Sequence, residues 1–154
     1  MSVSDPPPRP RRWRAAWSFM TQQARRRDRL AAGPSAAPGA RRTLRELEPV
    51  VEAPVLRDAR LLVSELVTNS VRHGRGGRFD AIEVCASVTP AAVRVEVRDF
   101  GPGFEPQIAA PDRDDQRMSG WGLYLLDELA DRWGVHRGRG TLVWFELDRR
   151  PLSA

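Results

Sequence analysis

Apolar residues recur with two different periods along this chain, and the switches between them mark its elements. Over 56–73 the spacing is helical, and it puts Ala59, Leu62, Val63, Leu66, Val67 and Ser70 on one stripe. Leu61, Glu65, Asn69 and His73 form the neighbouring i, i+4 row, rotated by about 40° per step, with Gly74 available as a C-terminal cap. Three polar side chains therefore run along the edge of a buried stripe, where they either line a pocket or face solvent. Period two follows. Ile82, Val84, Ala86 and Val88 alternate, Thr89–Ala92 turns, and Val93, Val95 and Val97 alternate back as a hairpin. Helical spacing returns over Gly122–Trp133, with Leu123, Leu126, Ala130 and Trp133 inward and Gly134 as cap. A last hairpin is predicted to turn at Gly138–Gly140, with Val143, Phe145 and Leu147 on one face.

The segments between are less regular. Residues 25–32 predict a short edge strand, and 33–39 (GPSAAPG) read as turn material. ARRTLRELEPV predicts a short helix with Leu44 and Leu47 inward, stopped near Pro49 and followed by a loop through Pro54. The stretch 101–119 is rich in Gly, Pro and Asp; a loop this long in a compact domain is usually functional or disordered. Residues 1–24 open with DPPPRPRR, which suits neither helix nor central strand. The division expected is an arm over 1–24 and one domain over 25–150.

Composition narrows the class. A chain of 154 residues buries one core, not two. It has no run of about 18 apolar residues and no apolar h-region near its start, so neither a membrane span nor a secretory signal is expected and the location expected is cytoplasmic. Cys85 is the single cysteine, which excludes an internal disulfide and a cysteine-based zinc site. All 25 basic residues are arginine, as GC-rich bacterial codon usage would produce. The net charge is +5, but residues 1–32 hold eight Arg against Asp5 and Asp28, or +6. The remainder is thus about −1, and a nucleic-acid-binding domain would carry its excess on the folded part.

Three short motifs carry the chemistry. Asp99 ends an alternating strand and precedes Gly101-x-Gly103. A carboxylate there needs hydrogen bonds. It accepts either from amides of the glycine turn or from the exocyclic amine of adenine, which glycines allow to approach closely. Gly120 and Gly122 open a helix, where free N–H groups suit phosphate, although an ordinary loop-to-helix junction reads the same way. Asn69 offers a neutral oxygen to Mg²⁺, and Glu65, one turn earlier, is placed to accept a proton from a hydroxyl or water.

In this order the pieces resemble the GHKL (Bergerat) ATP-binding superfamily: Glu65-x3-Asn69-x3-His73 as its N box, Asp99-x-Gly101-x-Gly103 as its first glycine box, and Gly120-x-Gly122 as its second. LLVSELVTNSVRHG and LADRWGV…TLVWFEL are similar to one branch, the bacterial anti-sigma factor serine kinases, and the resemblance covers roughly 28–148. It implies an α/β two-layer sandwich, a mixed and mostly antiparallel sheet with helices on one face. It further implies ATP and Mg²⁺ as cofactors, Asp99 on adenine, Asn69 on the metal and Glu65 as general base toward a serine hydroxyl. Gly101, Gly103, Gly120, Gly122 and Leu123 would shape the nucleotide pocket, Thr141 would support its adenine side, and 104–119 would be the lid. His73 would complete the helix end without a catalytic role. Trp121 stands between the second-box glycines where relatives often carry Arg or another polar residue, and Arg117 is the candidate to supply that charge.

The function so implied is a protein serine/threonine kinase that phosphorylates an anti-anti-sigma (STAS-type) partner, sequesters a sigma factor when unopposed, and forms a homodimer. The alternative is a non-catalytic module whose nucleotide only sets partner affinity. A histidine kinase would need a helical hairpin with a phosphoacceptor histidine, and His73 and His136 both fall inside the ATP-binding region. Gyrase- or chaperone-type ATPases need further domains, and a basic nucleic-acid binder leaves the motifs unexplained. In the arm, Trp13, Trp17, Met20 and Ala24 fall on one stripe of a helix among arginines, which suits an acidic partner or an anionic membrane surface. A disordered tail, or a true start at Met20, accounts for the same residues.

Overall fold

The computed structural model describes residues 23–73, 81–101 and 121–149, with the side chains of His73 and Trp121 outside that description. Strand β1 (Ala24–Ala31) leads into helices α1 (Ala36–Arg45) and α2 (Ala53–His73). The hairpin β2 (Ala81–Val88) and β3 (Ala92–Asp99) follows, then α3 (Trp121–Leu129) and the hairpin β4 (Arg132–Gly138) and β5 (Gly140–Asp148). The strand order is β1-β2-β3-β5-β4, and every described pairing is antiparallel, so the parallel element that a mixed sheet allows is missing among the described residues.

Alternation decides which face of the sheet is covered. Ile82, Val84, Ala86 and Val88 on β2 and Val93, Val95 and Val97 on β3 are buried with Val143, Phe145 and Leu147 of β5. They join the stripe Ala59, Leu62, Val63, Leu66 and Val67 of α2, and Leu44 and Leu47, in one core. At about 25 cal/mol per Å² of buried apolar surface, this single layer of contacts is the main force assembling the domain. At the far end of the sheet, Arg149 donates to both carboxylate oxygens of Glu52 (3.0 and 3.1 Å) and to the carbonyls of Thr89 (2.9 Å) and Val50 (2.7 Å). That clasp joins the β2–β3 turn to the α1–α2 connection. No helix among the described residues is long and apolar enough to cross a membrane.

Four boundaries differ from the sequence expectation. Helix α1 begins at Ala36, inside the stretch expected as a turn, and α2 begins at Ala53, so that Pro54 is helical rather than part of a loop. Pro38 and Pro54 both fall in a first turn, where the missing N–H has no helical acceptor to lose. Helix α3 stops at Leu129 and not at Trp133; Trp133 and Gly134 belong to β4. Spacings of three and four at 123, 126, 130 and 133 satisfy a helix, but Trp133 and Val135 also alternate. Tertiary packing decides for the strand: a Cβ on Gly134 would meet the Trp144 ring at 2.9–3.0 Å, so the glycine is where that ring crosses β4. Ala24, finally, pairs with Val88 in β1, which removes it from any helical stripe with Trp13, Trp17 and Met20. The rest of the arm, residues 1–22, lies outside the described residues.

Candidate nucleotide site

Burial deepens along the polar row of α2. Leu61 is 42% exposed, Glu65 is half-buried and Asn69 is only 9% exposed. The solvent-facing reading therefore fails for Asn69, while Glu65 sits at the boundary between core and surface. His73 ends the helix by its backbone.

Gly122, in the first turn of α3, explains what Asn69 faces. A Cβ on Gly122 would stand 2.5 Å from Asn69 Nδ2 and 3.5 Å from Glu65 Cβ. The start of α3 thus lies directly against the two N-box side chains, and any larger residue at 122 would force the Asn69 amide to move. The first amides of a helix have no acceptor within it, so a helix start stands against the Asn69 amide group and the stem of Glu65. Leu123, the next residue, is 4% exposed and packs into the core, which anchors that turn.

The second half of the site lies where β3 ends and β5 begins, on two strands over which α2 packs. Asp99 is 9% exposed, and its Oδ1 accepts from the Gly101 amide at 3.1 Å. The turn reading of this carboxylate is thus present, and it leaves Oδ2 without a hydrogen bond among the described residues. Directly across the ladder from Asp99 is Thr141, 1% exposed. Its Oγ1 is the one buried side-chain polar atom without a partner among the described residues. An unsatisfied buried hydroxyl costs about 1–3 kcal/mol, which marks a place where a ligand atom would be welcome. Gly140, which carried no role beyond the turn in the sequence reading, holds this corner together. Its φ is +79°, and a Cβ there would fall 1.9 Å from the Asp99 carbonyl oxygen. The signal was available as a glycine immediately preceding Thr141.

Gly103, Gly120, Arg117 and the lid over 104–119 lie outside the described residues. No group of three or more His, Cys, Asp or Glu that could hold a metal occurs among the described residues. A divalent ion here would depend on the Asn69 oxygen together with phosphate and water oxygens, a donor set suited to Mg²⁺. The orphaned Thr141 hydroxyl and the Gly122 contact fit a nucleotide held between the β3–β5 corner and the start of α3.

The comparisons with known proteins bear on the fold and the family. The family model described as "Histidine kinase-like ATPase domain" matches residues 30–147. The chain is 30% identical over 105 residues to an anti-sigma F factor of Clostridium acetobutylicum, covering 64% of this chain and 72% of that protein. It is 25% identical over 99 residues to the serine-protein kinase RsbW of Staphylococcus epidermidis, covering 57% and 62% respectively. Among solved structures, it is similar to the RsbU and RsbW domains of Rv1364c from Mycobacterium tuberculosis, with a TM-score of 0.63 and 26% identity. That match covers 84% of this chain but spans only about a third (34%) of the other chain. A two-layer antiparallel sandwich and a family match over most of the length lead to one conclusion: the chain belongs to the histidine kinase-like ATPase domain family.

Proposed function

We propose that this protein is an ATP-dependent serine kinase of the anti-sigma type, acting on an anti-anti-sigma partner of the STAS type and binding a sigma factor when that partner is absent. The observation that carries the reading is the close approach of Gly122 to the side chains of Asn69 and Glu65, which sets a helix start beside the two polar residues of the α2 row. Asp99 and Thr141 would receive adenine, the carboxylate accepting its exocyclic amine; Gly101, Gly103, Gly120, Gly122 and Leu123 would shape the pocket. Asn69 would hold Mg²⁺, whose contribution when bound is to neutralise charge on the phosphates. Glu65 would take the proton of the serine hydroxyl as that oxygen attacks the terminal phosphorus. Its half-buried position leaves it reachable by an incoming side chain. The domain so proposed runs from β1 at Ala24 to 150, with the residues before it an appended arm outside the nucleotide chemistry; self-association would be as a homodimer.

The test is transfer of label from γ-labelled ATP to a partner captured from the native cell. Labelled serine on the partner, lost in Glu65→Ala but not in a protein lacking residues 1–22, is the expected result. ATP and Mg²⁺ binding without any transfer would instead establish the non-catalytic module, in which nucleotide only sets partner affinity.

A further inference from the structure

The β1 edge carries a feature that the nucleotide site does not use. Strand β1 ends the sheet order and, among the described residues, pairs only with β2, so one side of its backbone presents N–H and C=O groups that no described strand meets. Six of its eight residues are exposed, all but Ala24 and Leu30. Register with β2 sets Arg25, Arg27 and Arg29 opposite Ser87, Cys85 and Glu83, on the face away from the helices. Arg27 pairs with Glu83 at 3.0 Å yet stays 63% exposed, Arg25 is held by the Cys85 side chain and by the charge of Glu96, and Arg29 lies over the Phe100 ring at 6.0 Å, both arginines remaining exposed.

The helix-covered side of the same edge is also cationic. Helix α1 packs along β1 through a hydrogen bond from Thr43 to Asp28, an Arg26–Glu46 pair at 2.7 Å, and Gly39 against Leu30. Its outer surface then presents Arg42 and Arg45 beside Pro38, around a shallow depression, and neither forms an ion pair among the described residues. The carboxylates nearby, Asp28, Glu46 and Glu83, are each already engaged. Exposed cations therefore flank, on both faces, a strand edge that no other described strand pairs with.

Charge on an edge strand keeps it from pairing with its own kind. Antiparallel pairing of two β1 strands would lay the Arg25–Arg29 run on itself, and like charges directly opposed are destabilising. The same arrangement favours a strand of opposite charge. We propose that β1 is a docking edge for an extended acidic segment of a partner protein, which adds a sixth strand and sets its carboxylates near Arg25 and Arg29 on one face and Arg42 and Arg45 on the other. Main-chain pairing supplies affinity and alternate side chains supply selection, and neither nucleic acid nor a lipid surface offers that ladder. The inference goes beyond phosphoryl transfer and does not need it.

The probe is a labelled eight-residue peptide alternating Glu and Val, titrated into the full chain at low salt and read by fluorescence anisotropy. N-methylation of one alternate set of its amides should abolish binding, and methylation of the other set should leave it intact, because only one side meets β1. The Lys-for-Glu peptide should not bind. Arg25→Gln with Arg29→Gln should weaken binding by about tenfold at low salt and less at high salt, where charges are screened, with ATP affinity unchanged. Should that double variant fold poorly, Arg42→Gln with Arg45→Gln on α1 gives the same reading. Equal binding by both methylated peptides, or equal competition by DNA of the same charge, would reduce the edge to a polyanion surface and overturn the proposal. Loss of kinase activity with peptide binding retained would count against the kinase reading alone.

Discussion

Strand β5 buries two polar side chains almost equally, and only one of them is satisfied. Glu146 is 6% exposed on the open face of the sheet, yet it accepts from Arg94 at 2.9 Å and from Arg132. Arg94 also lies over the Trp144 ring at 4.2 Å, so the carboxylate, both guanidinium groups and the indole close on one another. Thr141 is 1% exposed on the covered face, across from Asp99, and its hydroxyl has no partner among the described residues. A saturated network has nothing left to offer a ligand, whereas an orphaned hydroxyl beside a half-used carboxylate does. Burial alone does not mark a site; burial without satisfaction does.

This contrast can be broken at several points. The largest effect is expected at Glu65. Glu65→Ala should lower phosphotransfer to the partner by about 10²–10⁴-fold, the usual scale for loss of a general base, with ATP affinity nearly intact. Unchanged transfer would assign the α2 row to positioning only. Asp99→Ala comes next: loss of the acceptor for a buried amine should cost about 1–3 kcal/mol of ATP binding and remove the preference for ATP over GTP. Calorimetry giving equal affinity for both nucleotides in the unaltered protein would refute the assignment.

Glu146→Gln is the converse experiment. It should leave ATP affinity unchanged and lower unfolding stability by about 1–2 kcal/mol, a modest figure because Arg132 remains partly solvated. A fall in ATP affinity there would mean that the two faces are coupled. The clasp at Glu52 adds a pH signature. Hydrogen bonding from Arg149 holds its carboxyl below the usual glutamate range, against the opposing push of burial. The stabilisation is complete above the ordinary glutamate value and is lost as pH falls through the lowered folded value. In acid titrations, Glu52→Gln should therefore be less acid-sensitive than the parent; superimposable curves would remove the pair from the account. The smallest effect is the sharpest. Thr141→Val, which deletes the orphaned hydroxyl at nearly constant shape, should raise the stability of the nucleotide-free protein by about 1 kcal/mol while weakening ATP binding. A loss of stability instead would show that the hydroxyl is already satisfied.

Much of this was readable along the chain. The α2 stripe is buried as its spacing requires, the β2–β3 alternation is nearly residue for residue, and Asn69, Asp99 and Thr141, singled out along the chain, are all buried. What failed was local and had one cause. At 130–135 the apolar spacing fits both periods, and at 36–39 and 53–54 proline and glycine signal a turn as readily as a first helical turn.

Period thus settled the class of each strong element, because that follows from which side chain repeats at which interval, and the family was legible in the order of three short motifs. The tertiary structure decided which groups meet. That Gly122 must be bare for α3 to reach Asn69, that Gly140 must turn left-handed to bring Thr141 against Asp99, and that Gly134 yields to Trp144 are facts of close approach between residues up to 53 positions apart. Steric exclusion at a few tenths of an ångström has no counterpart in a pattern of polar and apolar letters.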